Sequence, residues 1–415
     1  MSIRSPEPNS SPAPGTRVLM YSHDSYGLGH FRRTMTLAEA LAASLPNVSV
    51  LIATGSPCSS HFDLPERVEV LKLPSVTKDA GGGYVSRSLP CSLDEIIELR
   101  SRLLLETFRA FRPNLLVVDH QVVGLKGELL GVLAEARSTG TPAILGMRDI
   151  IDEPAVVARD WSQRSIRRAL AESYKRVCIY GSPKVFDPRV EYPLPAALAR
   201  RVEFVGYVVR EAPRASVRPL PPERPQVLVT VGGGEDAETR LESYLDALAL
   251  KPADWETTLV LGPLLDQERA RRIRRRARLL GGVSVHGFVE DLPRKLAESD
   301  AVVGMAGYNT TSEILQSGVP AVLLPRTAPR REQELRASRL ADLGLVEMLL
   351  RATPETLRGA VERALSRRPT RHTALPMDGA QRLCSVAREL LREENPAAVG
   401  ESRRTTPGRS IPLTA

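Results

Sequence analysis

From Arg17 onward, short apolar runs alternate with stretches whose apolar residues recur at helical spacing. "RVLMYS", "VSVLIAT", "VEVLKL", "LLVVD", "AILGM" and "RVCIYG" have the length and composition of buried strands. Between them, "RRTMTLAEALAAS", "LDEIIELRSRLLLETFRAF" and "GELLGVLAEARS" carry the helical period. This alternation predicts a parallel sheet covered by helices on both faces, a doubly wound α/β domain over residues 17–209. At 210–225, "REAPRASVRPLPPERP" holds five prolines, which exclude both a helix and a sheet interior, so it reads as a linker. The pattern then restarts with "QVLVTVGGG", "TTLVLG", "VSVHGF", "AVVGMAG" and "AVLLP", and a second domain of the same class is expected over 226–394. Two such domains face each other across a cleft, with ligands beyond the carboxyl ends of the strands. The Pro/Ser-rich 1–16 and the polar 395–415 are expected to be disordered.

Composition narrows the class. A length of 415 residues suits two domains, and 42% hydrophobic residues supply enough apolar surface for two cores. The net charge of +8 is spread over arginines that mostly stand near acids. The densest run, "ERARRIRRRAR", puts Arg271, Arg274, Arg275 and Arg278 on one helical face opposite Ile273 and Ala277. That face is either simply solvated or docks on an anionic membrane surface. The four cysteines are isolated, and Cys58 with His61 supplies too few ligands for a metal. A reduced cytoplasmic setting is expected, with peripheral contact at the inner face of a membrane as an option. No signal-peptide core or membrane-spanning run is visible.

The candidate chemistry lies in loops. "YSHDSYGLGHFRRT" follows the first strand and opens a helix; Gly27 and Gly29 let backbone amides converge at its N-terminus, which favours an anion or a polarised hydroxyl. The pattern lacks the third glycine of a dinucleotide fingerprint, and the chain has no G-K-[ST] phosphate loop. His30, at the helix start, is the leading candidate for a neutral general base, against a capping role for the same side chain. Asp24 and His23 are alternatives in the same loop. Asp119 and His120 end a strand on the same rim, as do Arg148 and Asp149. In the second domain Gly232, Gly233 and Gly234 form a strand-to-helix turn that permits close approach of a phosphate. "ESDAVVGMAGYNTTSEILQSGVPAVLLPR" gives Glu313 two readings: the far half of a capping box with Thr310, or a carboxylate at the cleft accepting from two sugar hydroxyls.

Taken together, "GLGHFRRTMTLAEAL", "VGMAGYNTTSEILQSGVPAVLLPR" and "REQELRA" resemble glycosyltransferase family 28, whose fold is the two-domain GT-B arrangement. The resemblance implies that Gly27, Gly29 and His30 lie beside the acceptor and the departing phosphate. It further implies that Glu313 holds the ribose, that Gly307, Tyr308, Asn309 and Thr310 hold the diphosphate, and that the backbone near Phe288 holds the base. Glu332 and Gln333 would face the donor sugar. The expected function is transfer of a sugar, with inversion, from a nucleoside-diphosphate sugar, UDP-linked by the resemblance, to an acceptor hydroxyl of small-molecule, lipid-linked or glycan type. No Asp-x-Asp is present, so no metal and no cofactor are expected. A nucleotide-sugar hydrolase or epimerase of the same fold, or a non-catalytic nucleotide-sugar-binding protein, are the alternatives. Neither nucleic acid nor an obligate protein partner is expected. Closure of the two domains about 210–225 would exclude water.

Overall fold

The computed structural model describes residues 15–23, 29–57, 59, 62–79, 83–210, 223–234, 238–289, 291–369 and 375–394. The segments 1–14 and 395–415, most of the linker, and Asp24 and Gly27 of the opening loop therefore lie outside the described residues.

The first sheet is built from β1 (Arg17–Ser22), β2 (Ser49–Thr54), β3 (Val68–Lys72), β6 (Leu115–Asp119), β7 (Ala143–Arg148), β8 (Arg176–Tyr180) and β9 (Val202–Phe204), in the order β3-β2-β1-β6-β7-β8-β9. Every pairing in it is parallel. An antiparallel hairpin, β4 (Val76–Lys78) with β5 (Tyr84–Ser86), stands apart from it. The second sheet comprises β10 (Gln226–Thr230), β11 (Glu256–Val260), β12 (Val283–His286), β13 (Ala301–Gly304), β14 (Ala321–Leu323) and β15 (Glu347–Met348), in the order β12-β11-β10-β13-β14-β15 and again parallel throughout. Central strands such as β6 are buried along their whole length, as continuous apolar runs in a doubly covered sheet must be.

The strand orders locate the ligand sites. In each sheet the chain runs outward from the centre in one direction and then returns to run outward in the other, which leaves a crevice where the order reverses. In the first sheet that point lies between β1 and β6; in the second, between β10 and β13. The loops at the carboxyl ends of those four strands carry His30, Asp119, His120, Gly232–Gly234 and Gly307.

Each sheet has a core of its own on one face, and a third apolar cluster runs continuously through both domains. It joins Phe31, Met35 and Leu41 of the Gly29–Ser44 helix to Tyr308 and Ile314 of the Tyr308–Ser317 helix and to Leu383, Val386 and Leu390 of the Gly379–Glu394 helix. This last helix, which follows the second sheet in sequence, packs on the Gly29–Ser44 helix of the first domain. Its entry is fixed by Tyr207 and Pro376, whose backbone N–H and carbonyl bond at 2.8 Å. Buried polar contacts also cross the boundary. Arg336 donates to Asp149 at 2.7 Å and to the Ala306 carbonyl at 2.9 Å, with both charged side chains 1% exposed or less. Among the described residues no helix is long and apolar enough to cross a membrane.

Candidate active site

The two switch points open onto a cavity of about 1080 Å³ between the domains. Its first-domain wall comes from the ends of β1, β6 and β7 and from the start of the Gly29–Ser44 helix. His30 is the second residue of that helix. Its Nδ1 lies 2.6 Å from Asp119 Oδ2 at the end of β6. Arg33, one turn further on, grips the same carboxylate, with its Nη2 2.8 Å from each oxygen and its Nε 3.0 Å from Oδ1. Burial alone would raise the Asp119 carboxyl; Arg33 and His30 instead bring it down to about 2. An ionised carboxylate only accepts, so the 2.6 Å contact puts the His30 proton on Nδ1 and its lone pair on Nε2; Arg33 Nη2 also stands 3.0 Å from Nδ1, and its hydrogens go to the nearer Asp119 oxygens. Burial lowers His30 to about 4 against the upward pull of Asp119, so the imidazole is neutral at pH 7. Two further imidazoles flank it, His23 with ring centroids 5.8 Å away and His120 at 5.0 Å. Burial holds both well below the usual histidine range.

The second-domain wall is built of backbone and short side chains. Gly232 and Gly234 adopt φ of 66° and 98°, left-handed values that turn the chain sharply after β10. Gly307 is the N-cap of the Tyr308–Ser317 helix, and a Cβ there would meet only open space, so the amides of Tyr308, Asn309 and Thr310 head the helix directly at the cavity. Thr310 is thus inside the first turn, not at the cap, and no side chain among the described residues caps this helix; the capping-box reading of Thr310 and Glu313 is wrong because the helix begins three residues earlier than that box requires. Phe288 is 48% exposed at the cavity edge. Glu332 and Gln333 open the Glu332–Asp342 helix and line the cavity. Arg326 ties both down, its Nη2 donating to Glu332 Oε1 at 2.7 Å and its backbone N–H to Gln333 Oε1 at 3.2 Å.

The walls touch. Asn309 donates to the Gly29 carbonyl at 2.9 Å, and Arg32 donates to Glu313 Oε1 at 2.7 Å. Glu313 is 4% exposed, stands behind the cavity wall rather than in it, and its Oε2 has no hydrogen-bond partner among the described residues. Burial raises its carboxyl, against the pull of Arg32 and Arg210. Arg148, at the end of β7, lines the cavity and donates from Nη2 to His120 Nε2 at 3.0 Å. Of the residues singled out in the sequence, the cavity therefore gathers His23, Gly29, His30, His120, Arg148, Gly232–Gly234, Phe288, Gly307–Thr310, Glu332 and Gln333, with Asp119 and Glu313 one layer behind. Arg32, Arg33 and Arg326 were not singled out. A signal for Arg33 existed: it stands three residues after His30, on the same helical face.

Two doubly wound domains with the site between their facing switch points define the GT-B fold. The crystal structure of MurG from Acinetobacter baumannii matches with a TM-score of 0.59 at 16% identity, over 90% of this chain and 99% of that one. The forosaminyltransferase SpnP of spinosyn matches at 0.58 and 17%, over 91% and 95%. Residues 226–386 match the glycosyltransferase family 28 C-terminal domain. An uncharacterized glycosyltransferase of Methanosarcina acetivorans is 27% identical over 344 residues, 79% of this chain and 84% of its own. The UDP-N-acetylglucosamine–N-acetylmuramyl-(pentapeptide) pyrophosphoryl-undecaprenol N-acetylglucosamine transferase of Phenylobacterium zucineum is 28% identical over 288 residues, 62% of this chain and 76% of its own. Residues 226–386 thus form a family 28 C-terminal domain on a GT-B fold, and the chain is similar to glycosyltransferases of that family such as MurG.

Proposed function

We propose that the protein transfers a sugar from a nucleoside-diphosphate sugar to an acceptor hydroxyl with inversion, using no metal. The observation that carries this reading is the His30–Asp119 pair at 2.6 Å, facing the N-terminus of the Tyr308–Ser317 helix across the cavity. His30 Nε2 takes the proton of the acceptor hydroxyl as its oxygen bonds to the anomeric carbon. The bond from that carbon to the diphosphate breaks, its electron pair leaving on the phosphate oxygen. Attack from one wall and departure toward the other inverts the centre. The negative charge growing on the diphosphate meets the amides of Tyr308, Asn309 and Thr310 and the 232–234 turn, with Glu332 and Gln333 facing the transferred sugar. These groups do the work that an Asp-x-Asp-bound ion does elsewhere, and that motif is missing from the sequence. The donor named for the Phenylobacterium relative makes UDP-N-acetylglucosamine the first to test.

The experiment is to follow UDP release from UDP-N-acetylglucosamine and other UDP-sugars, with and without a panel of hydroxyl acceptors and with excess chelator, and to read the product anomer by NMR. Acceptor-dependent release that survives the chelator and yields the inverted anomer is expected. Release of free sugar at full rate without acceptor would establish the hydrolase instead. Chelator-sensitive turnover restored by magnesium or manganese would refute the metal-free mechanism.

A further inference from the structure

We propose that the 149–153 loop of the first domain is a donor-specificity element, which fixes the start of the Glu332–Asp342 helix from across the domain boundary and so decides which sugar Glu332 and Gln333 accept. That these two residues face the transferred sugar rests on the transferase reading above; the grip on the helix does not.

The loop leaves β7 and enters the Pro154–Trp161 helix. Its backbone is anchored inside the first domain, because the buried Tyr192 hydroxyl accepts from the Ile151 N–H at 2.9 Å and donates to the Asp152 carbonyl at 2.9 Å. Asp149 Oδ1 and Asp152 Oδ1 each accept from the N–H of the following residue, at 2.7 and 2.9 Å, which orients both carboxylates. What they face belongs to the second domain.

The Glu332–Asp342 helix has Arg331 at its N-cap, a side chain that cannot accept and makes no cap hydrogen bond. Asp152, 3% exposed, accepts from the Arg331 N–H at 3.1 Å and so sets a carboxylate beside the positive end of that helix. Glu153 Oε1 accepts from Arg331 Nη1 at 2.5 Å, while Nη2 and Nε of the same guanidinium hold Glu334 at 2.6 and 2.7 Å. Further along, Arg336 Nη2 donates to Asp149 Oδ1 at 2.7 Å and to the Ile150 carbonyl at 3.3 Å. The loop thus meets this one helix through Asp149, Ile150, Asp152 and Glu153.

The place of these bonds gives them a role beyond holding two domains together. Glu332 and Gln333 follow Arg331 directly and line the cavity, so the backbone that carries them takes its position from the first-domain loop. The far end of the helix meets the first domain through Arg339 and Glu191 at 2.8 Å, a pair that is open to solvent. A shift of about 1 Å at a group that positions substrate changes rates by up to about 10²-fold, enough to separate sugars that differ by one substituent.

The full chain is tested by hydrogen exchange and by calorimetry with UDP, UDP-glucose and UDP-N-acetylglucosamine as probes. Asp152→Ala is expected to speed exchange of the 331–335 amides about tenfold and leave that of 338–342 unchanged. It should change the affinity of the preferred UDP-sugar relative to UDP about fivefold or more, with UDP itself within about twofold. Asp152→Asn keeps an accepting oxygen and should behave as wild type in both readouts. Glu191→Gln loosens the far end of the helix and should leave the sugar preference alone. If Asp152→Ala does not fold, Glu153→Ala removes a partly exposed pair and should move the preference about twofold. Unchanged exchange, faster exchange with an unchanged preference, loss of UDP affinity itself, or an equal change in Glu191→Gln would each overturn the proposal. If wild type does not distinguish either UDP-sugar from UDP, the donor-sugar reading falls and the proposal with it; a wild-type preference that survives in Asp152→Ala overturns the proposal alone.

Discussion

Glu313 is expected to accept from the ribose, yet in the structure its Oε1 is taken by Arg32 from the opposite domain at 2.7 Å. A ribose must either displace that guanidinium or share the carboxylate with it. Arg32→Gln removes the competitor without touching Glu313. A hydrogen bond to a charged group contributes about 1.5 to 3 kcal/mol. Arg32 is 21% exposed, so screening places this pair near the lower end. If the bridge opens on binding, its loss tightens nucleotide affinity by about tenfold. Glu313→Gln should weaken UDP binding by a similar factor, and the double variant should behave like Glu313→Gln alone, because the competitor has nothing left to compete for. The assay is calorimetric titration of UDP and of 2′-deoxy-UDP into the four proteins. Weaker UDP binding by Arg32→Gln would make Arg32 a ligand rather than a gate and refute the reasoning. Equal loss on removing the 2′-hydroxyl in wild type and in Glu313→Gln would take Glu313 off the ribose.

His30→Ala is expected to lower turnover by about 10² or more with donor affinity nearly unchanged, and Asp119→Asn to lower it through the wrong tautomer; steady-state rates beside UDP titrations check both, and near-normal turnover in His30→Ala would leave that side chain a structural role. The three buried imidazoles make stability pH-dependent. Because His23, His30 and His120 titrate below their unfolded value of 6.5, the unfolded chain binds protons first, so their contribution is full above about 6.5 and is lost as pH falls below it, for His30 down to about 4. For His30 the total is about 3 kcal/mol, of which about 2 kcal/mol is lost by pH 5, and His23 and His120 act in the same direction; urea unfolding at pH 7.5 and 5 reads the difference, and a change under about 1 kcal/mol would contradict it. Asp149→Ala strands the buried Arg336 and should destabilise by about 3 to 5 kcal/mol in denaturant unfolding, with Arg336→Met in the same chain recovering part of it.

The sheets were legible because parallel strands buried on both faces leave unbroken apolar runs, as in "LLVVD" and "AVVG". β9, β14 and β15, each of two or three residues, carry little of that signal, yet β14 stood out through "AVLLP" while β9 and β15 did not. The Gly379–Glu394 helix is plainly amphipathic in sequence, but nothing in its spacing says that its apolar face meets the first domain rather than the second. Thr310 and Glu313 show the limit from the other side: a Ser/Thr-x-x-Glu spacing fits an N-cap and also fits two positions inside a helix, and the glycine at 307 decided for the latter. The loop residues were found because chemistry-bearing side chains follow strand ends. Pairs such as Arg32 with Glu313 and Arg336 with Asp149 join residues far apart in sequence and of unremarkable type, so only the folded chain brings them out.

The contacts around Arg33 bear on how donor and base are aligned. Tyr308 is the first residue of the helix assigned to the donor diphosphate, and its ring centroid lies 5.1 Å from the Arg33 guanidinium. That guanidinium grips Asp119, and Asp119 orients His30. The Tyr308 hydroxyl accepts from the Val208 backbone N–H at 3.0 Å, on the segment that enters the linker. An unbroken chain of packed and bonded groups therefore connects the two switch points within a shared apolar core. A swing about 210–225 would have to part Arg33 from Tyr308, Arg336 from Asp149 and Asn309 from Gly29 together. The first two contacts are buried, so the placement of His30 relative to the start of the Tyr308–Ser317 helix is set by side-chain packing, and the linker's composition matters less to it than the fit of Tyr308 against Arg33.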